Sequence, residues 1–445
     1  MERDNRNKPL CIKFKEFSNP QREDSKLSQY LCKKKGELNE CADEIDWKKR
    51  AKYLGIREKN DKLIADHFVG MRWLEEGKCF LTVEPKIAKL DYISMYLECL
   101  KSDEIIKHLD RMFDVYPEEQ FIPMDEDDWP KISPLFVITF LKRLFDLTKR
   151  HTRWNYITVT ENLRSRIKGK IRVPDTIKRN HSKFKIESTV CTFQFFGIDC
   201  LENRILKLAF EKSRRYLIHK NLHKKSPIDI WLNYCNVVFE NVPLVPITYQ
   251  DFQRVHYSNF YKEYKELHKL AKLIFKQFGY SLQQNFEKYT FLTPPFWIDM
   301  NELFERYCEG NLRKKYKLWA GYDENNLGDE FKVRPDFLIP ERKIIIDCKY
   351  KQYWDWGKDD FRSDVYQVVS YSRHKDVKEK LGLTRDVDLC KGIYILYPCS
   401  SKDDGGVNEI DFEKIEDDIA NAKKLKAFDV LLYKVKIGLP IVGKD

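Results

Sequence analysis

The stretch from Phe331 to Tyr350 constrains the fold more than any other part of the chain. Asp336 is followed by the apolar run Phe337-Leu338-Ile339, and a second run, Ile344-Ile345-Ile346, is closed by Asp347 and Lys349. Pro340, Glu341 and Arg342 lie between the runs and read as a turn, so the stretch reads as a β-hairpin. The turn midpoint is about as far from Asp336 as from Asp347, and antiparallel pairing therefore brings the two carboxylates together across the sheet. Asp347 and Lys349 are two residues apart and project from the same face. A continuous apolar triplet marks a strand buried on both faces. A carboxylate and an ammonium at the end of such a strand are costly unless paired or bound to metal.

Two carboxylates and a lysine converging on one point suit metal-assisted phosphodiester cleavage. The acids offer oxygen ligands for Mg²⁺. The metal lowers the pKa of a bound water, and the lysine orients that water and offsets charge in the transition state. A structural ion pair in a hairpin is the alternative that the short motif leaves open. Downstream, Asp364 to Tyr371 reads as a helix with Gln367 and Tyr371 on one face. Upstream, Asp299 to Tyr307 reads as a helix with an apolar stripe of Met300, Leu303, Phe304 and Tyr307. On an ideal wheel Glu305 points away from that stripe.

The chain has 445 residues, enough for two or three domains. A hydrophobic content of 42% excludes a disordered chain. The net charge of +11 is concentrated. Residues 101–130 hold three basic residues against ten acids, whereas residues 141–190 hold fourteen against four. A boundary therefore falls near 125–130, and Thr293-Pro294-Pro295-Phe296 marks a second. The expected division is an N-terminal partner-docking region (1–130), a basic middle region of mixed helix and strand (131–290) and an α/β domain (291–445). The last should hold a mixed central sheet that includes the hairpin and the strands Gly392 to Tyr397 and Asp429 to Ile437.

Elsewhere, segments 44–54 and 58–66 read as helices, and Phe68 to Arg72 and Cys79 to Val83 as short strands. In the middle region Leu135 to Lys149, Asn203 to Leu217 and Tyr261 to Phe278 read as helices. Thr158, Val159, Ile171, Val173 and Thr189 to Phe196 read as strands. Arg164, Arg166, Lys168, Lys170 and Arg172 alternate with non-basic positions, so an extended backbone would put all five on one face. Such a strip fits DNA phosphates, a partner protein or plain solvation. His219 and His223 are spaced for a helical metal pair but lack an obvious third ligand, and read as a solvated or core pair. Twelve cysteines without a CxxC pair, no signal segment and no apolar run long enough for a membrane helix point to reduced thiols and a cytoplasmic protein. Gly169-Lys170 lacks the flanking residues of a phosphate loop, so the chain is not expected to be a nucleotide-driven motor itself.

The pair Gln367 and Tyr371 after Asp336, Asp347 and Lys349 resembles the RecB-like branch of the PD-(D/E)xK nucleases. The order of Asp299 to Leu312, Val333 to Ile339, Ile344 to Lys351 and Asp364 to Tyr371 resembles McrC, the nuclease subunit of the McrBC modification-dependent restriction system. Asn162 to Ile171, Asp199 to Lys207 and Phe68 to Lys86 are similar to earlier segments of that family. The resemblance thus runs from about residue 65 to about 400. It implies a Mg²⁺-dependent DNA endonuclease with a PD-(D/E)xK core. Asp336, Asp347 and the Cys348 carbonyl would be metal ligands, Lys349, Gln367 and Tyr371 catalytic, and Glu305 the first-helix acid. It also implies an AAA+ GTPase ring partner, McrB-like, whose GTP hydrolysis this chain stimulates, and double-stranded DNA with modified cytosine as substrate. A homodimer through the nuclease region is compatible with it. A non-catalytic adaptor with a relict nuclease fold is disfavoured because Asp336, Asp347, Lys349, Gln367 and Tyr371 are all present. A nuclease acting without a partner is the other alternative.

Overall fold

The computed structural model describes residues 10–15, 56–59, 62–65, 67–87, 89–108, 111–116, 119–124, 129–225, 227–255, 257, 261–279, 291–321, 333–351, 359–383, 389–400, 407, 410–417, 422–425 and 429–441. The chain divides into two compact units, Met1–Ile132 with Thr290–Asp445, and Ser133–Tyr289.

The first unit begins with β1 (Leu10–Lys15), followed by the hairpin of β2 (Ile56–Lys59) and β3 (Lys62–Ala65). That hairpin stands where a helix over 58–66 was expected. The intervening Asn60-Asp61 is turn chemistry, and it outweighs a helical reading of so short a segment. The helix expected over 44–54 lies outside the described residues. Next come β4 (Phe68–Glu75) and β5 (Cys79–Glu84), the two strands read from the sequence, joined through Gly77 at a φ of 75°. Helix α1 (Tyr92–Cys99) is capped by Asp91, whose Oδ1 accepts from the backbone N–H groups of Ile93 and Ser94. Strands β6 (Phe113–Val115) and β7 (Ile122–Met124) complete this half.

Helix α2 (Trp129–Arg150) leads into the second unit. There β8 (Asn155–Arg164) pairs antiparallel with β10 (Ser188–Gly197) over ten residues each, and the short β9 (Lys170–Ile171) joins at one end. The strand expected at Val173 is instead the start of a helix, Val173–Arg179. Pro174 in its first turn presets helical φ where no backbone N–H partner is needed. Helices α3 (Leu201–His219), α4 (Ile228–Val238) and α5 (Lys262–Gly279) supply the core. The buried Asn203 amide on α3 donates to the carbonyls of Arg153 and Ile198, and the Tyr264 hydroxyl donates to its oxygen. His268, also buried, faces the Glu202 carbonyl at 3.0 Å. The segment Asp199 to Lys207 is thus a structural hub.

Past residue 290 the chain returns to the first unit. Strand β11 (Phe291–Thr293) pairs with β7, and β12 (Phe296–Asp299) inserts between β4 and β6. The resulting five-stranded order is β1-β5-β4-β12-β6. Gly70 makes the insertion possible, because a Cβ there would lie 2.2 Å from the Phe296 carbonyl oxygen. Regions 1–130 and 291–445 are therefore one compact unit, where the sequence suggested two. Charge runs and proline breakers mark where the chain leaves and re-enters, but say nothing about which segments pair.

Helix α6 (Met300–Arg313) follows β12 directly, with Asp299 as its cap. The second sheet has six strands: β13 (Trp319–Ala320), β14 (Phe337–Ile339), β15 (Ile344–Cys348), β16 (Gly392–Cys399), β17 (Ala422–Leu425) and β18 (Val430–Gly438). Their order is β13-β14-β15-β16-β18-β17. The pairs β15/β16 and β16/β18 are parallel and the outer ones antiparallel, so the sheet is mixed, and the chain as a whole is α/β as expected. Ile344, Ile345 and Ile346 are fully buried, as a strand covered on both faces requires. Helix α7 (Asp359–Arg373) packs on one face, where Phe361, Val368 and Tyr371 meet Leu338, Ile345 and Ile393.

Candidate active site

Register builds the site. Phe337 pairs with Ile346 and Ile339 with Ile344, which sets Asp336 opposite Asp347 at the open end of the hairpin. The backbone N–H of Cys348 donates to Asp336 Oδ2 at 2.6 Å, fixing that carboxylate against the neighbouring strand. Asp347 is 1% exposed, and its Oδ2 lies 2.7 Å from Lys349 Nζ. The i, i+2 spacing read from the sequence thus becomes a direct ion pair on one face of β15. The Lys349 backbone N–H is held by the Leu396 carbonyl at 2.8 Å.

Helix α7 brings in the next pair. Gln367 Nε2 donates to the Tyr371 hydroxyl at 2.8 Å, across one helical turn. Burial pushes the Tyr371 phenol up to about 12, and the charge of Asp347 adds to this. One turn earlier, the buried Asp364 accepts from Lys351 at 2.6 Å and from the Tyr397 hydroxyl at 3.0 Å. Its charge also raises the pKa of Asp347.

Helix α6 contributes Glu305, against the simple wheel argument. That argument assumes one apolar face looking inward. In fact Arg306, Cys308, Glu309 and Gly310 are buried as well, so α6 is covered nearly all round and a polar position can face the interior. Arg306 is fully buried and ion-paired with Glu302, Glu305 and Glu309, and Arg313 closes the far end of the ladder on Glu309. Neither Arg306 nor Asp364 stood out in the sequence. The signal for Arg306 was the i, i+3 and i, i+4 spacing of Glu302, Arg306, Glu309 and Arg313, which normally denotes a solvated face.

The electrostatics tie these groups together. Burial pushes Asp336 up to about 7, with the charge of Glu305 adding to it and Lys349 opposing. Asp347 rises to about 7 through burial and the charge of Asp336. Glu305 also reaches about 7 through burial, against the pull of Arg306. Burial works against the charge on Lys349, yet Asp347 and Asp336 hold its pKa above the ordinary lysine value. Three acids that resist ionisation, Asp336 and Asp347 near Lys349 and Glu305 near Asp336, form a site short of positive charge. Among the described residues no group of three His, Cys, Asp or Glu side chains could hold a metal ion on its own. Mg²⁺ does not need one, since it commonly takes one or two carboxylates and keeps waters or substrate phosphates for its other positions.

The basic strip does not form one face. Ser165 at a φ of 56° and Gly169 at 68° turn the chain, so residues 164–172 are not a single extended strand. All five cations are exposed. Arg164 pairs with Glu187 and Arg172 with Asp175, each at 2.7 Å, and Lys168 Nζ sits 4.2 Å from the Phe193 ring centroid. His219 ends α3 and His223 lies beyond its cap, so the two do not share a helix. Ten cysteines are described and all are free thiols. No described helix is long and apolar enough to cross a membrane.

Comparison with known proteins adds the following. The profile of a family described as McrBC 5-methylcytosine restriction system component matches residues 63–382. No curated protein matches the chain. Among solved structures, one similar chain comes from a refined half-complex of a tetradecameric assembly of Thermococcus gammatolerans McrB AAA+ hexamers with bound McrC. It is 14% identical, the match covers 98% of this chain and 96% of that one, and the TM-score is 0.40. Another comes from a cryo-EM structure of the Thermococcus gammatolerans McrBC complex, at 19% identity, 69% and 89% coverage and a TM-score of 0.30.

Proposed function

Because the chain belongs to the McrBC 5-methylcytosine restriction system component family, we propose that it is the Mg²⁺-dependent DNA endonuclease subunit of such a system, with PD-(D/E)xK chemistry. The observation that carries this reading is the ion pair of Asp347 with Lys349 beside Asp336, with Glu305 adjoining Asp336 and all three acids having raised pKa values. Asp336, Asp347 and the Cys348 carbonyl would hold the metal. When bound, it supplies a polarised phosphate and a water of lowered pKa. Lys349, kept protonated by Asp347, orients the attacking water and offsets charge at the phosphorus. Glu305 accepts a hydrogen bond from water beside Asp336. Gln367 donates to Tyr371, so the phenol keeps its own proton to offer a substrate phosphate.

Asp336→Ala, Asp347→Ala and Lys349→Ala should each abolish cleavage while leaving folding and partner assembly intact. Ca²⁺, larger and tolerant of looser geometry, should support DNA binding without cutting. An Asp347→Ala protein that nicks DNA at the wild-type rate would overturn the assignment.

Recognition and energy belong to a partner in this reading, an AAA+ GTPase ring like the McrB hexamers of the archaeal assemblies, whose GTP turnover this chain stimulates. The protein with Mg²⁺ alone should be nearly inert. Partner and GTP should yield double-strand breaks on DNA carrying modified cytosine. Robust cutting of unmodified DNA by this chain alone would instead indicate a stand-alone nuclease. Residues 1–130 and the β8–β10 arm with its exposed cations are the candidate docking elements, and DNA phosphates are the other ligand the arm suits.

A further inference from the structure

The second unit contains a cavity of about 360 Å³ between the last turns of α3 and the outer face of α4. That volume lies at the lower end of the roughly 300–1,000 Å³ typical of ligand pockets, room for one nucleotide-sized molecule. Arg214 and Ile218 line it from α3, and Asp229, Leu232, Asn233 and Asn236 from α4. The α4 residues fall at i, i+3, i+4 and i+7, one helical stripe. His223 and Lys224, in the connection between the helices, close the rim.

Two features separate this cavity from an ordinary surface hollow. Asp229 Oδ1 and His223 Nδ1 are both shielded from solvent, and neither has a hydrogen-bond partner. A buried polar atom left unpaired is destabilising. Two in one cavity, an acceptor on Asp229 and an imidazole nitrogen on His223 that donates or accepts according to its tautomer, call for a ligand or water bearing matching groups. The rest of the lining narrows the chemistry. An ionised Asp229 accepts only, so the ligand must present an N–H or O–H donor. Asn233 and Asn236 can match either kind of group, Ile218 and Leu232 offer apolar surface, and Arg214 and Lys224 supply positive charge for an anion. The Arg214 guanidinium is already oriented by Glu211, at 2.9 Å from Nη2.

We propose that this cavity binds a guanine nucleotide, with the base edge on Asp229, the ring against Ile218 and Leu232, and the phosphate on Arg214 and Lys224. Guanine fits because its N1–H and N2–H₂ donors lie side by side, while O6 and N7 offer acceptors to the asparagine amides and to His223. The nucleotide can be free or an unpaired residue of a nucleic-acid strand. The proposal is independent of the cleavage site, all of whose residues lie in the other unit.

The test uses the full-length chain and three probes: guanosine monophosphate, a short single-stranded oligonucleotide with a central guanine, and inorganic phosphate. Asp229→Asn turns a pure acceptor into a mixed donor and acceptor, and Lys224→Ala removes phosphate charge at an exposed position. Saturable binding of guanosine monophosphate, weakened at least tenfold by each substitution and unchanged in Asp336→Ala, supports a free-nucleotide site. The same pattern with the oligonucleotide alone supports a site for a nucleotide within a strand. Binding of neither, affinities equal across the variants, or equal affinity for phosphate alone would overturn the proposal. Asn233→Leu, which fills the cavity with apolar bulk, should likewise abolish binding, and far-UV circular dichroism checks that each variant is folded.

Discussion

Asp347→Asn should make the protein more stable at pH 8 while abolishing cleavage. The carboxylate is 1% exposed and its pKa is about 7, against about 3.9 for an unfolded aspartate. That value already includes the attraction of Lys349, so the ionised form remains unfavourable even with its partner in place. Between these two pKa values the folded state holds the proton more tightly than the unfolded chain does. Stability therefore falls as pH rises through that window and is lowest above pH 7. About three pKa units at about 1.36 kcal/mol each amount to roughly 4 kcal/mol above pH 7. Asparagine, neutral at every pH, relieves this strain and also lowers the repulsion felt by Asp336. Urea unfolding in EDTA at pH 4.5 and pH 8 is the assay. A gain of roughly 2–4 kcal/mol at pH 8, shrinking towards zero at pH 4.5, is expected. No gain at pH 8, or an equal gain at both pH values, would refute the claim that a buried, poorly neutralised charge defines the site.

Arg306→Met should cost about 3–5 kcal/mol, because it leaves Glu309, itself fully buried, and two further carboxylates without their shared cation. The loss should ease as pH is lowered from 8 to 5, because Glu305, pushed up to about 7 by burial, takes up a proton in that range; a change below 1 kcal/mol in urea unfolding would refute the role. Gly70→Ala should disrupt the β4–β12 pairing, read as lost amide protection across Phe296–Asp299, and unchanged protection there would argue against the close approach. Neutralising Arg166, Lys168 and Lys170 together should flatten the salt dependence of DNA binding by about 0.9 in log–log slope per lost phosphate contact. An unchanged slope with impaired assembly on the AAA+ ring would assign the arm to the partner.

The hairpin was legible because its information is local. The turn at Pro340–Arg342, the isoleucine triplet and the period of two fix the register that places Asp336 opposite Asp347. Gln367 and Tyr371 were legible for the same reason, as one turn of one helix. Periodicity alone did not put Glu305 in the site, because the wheel argument takes solvent as the default for a polar position, and α6 is enclosed on nearly every side. The strip failed on backbone dihedrals, since a left-handed φ at Ser165 is uncommon for a residue with a side chain. The joining of the two ends of the chain into one unit rests on β12 pairing with β4, more than two hundred residues apart in sequence, and no local pattern carries that.

The same long-range pairing sets a timetable for the growing chain. During synthesis β4 and β5 emerge early, but the edge of β4 prepared by Gly70 has no neighbour until Phe296–Asp299 leaves the ribosome. At about 5–20 residues per second that interval lasts on the order of 10–45 s. An exposed strand edge held open for so long is a template for wrong pairing with other chains. The intervening residues 133–289 form the second compact unit. Helix α6 and the hairpin with Asp336 and Asp347 come after β12, so the candidate site cannot assemble until most of the chain has been made.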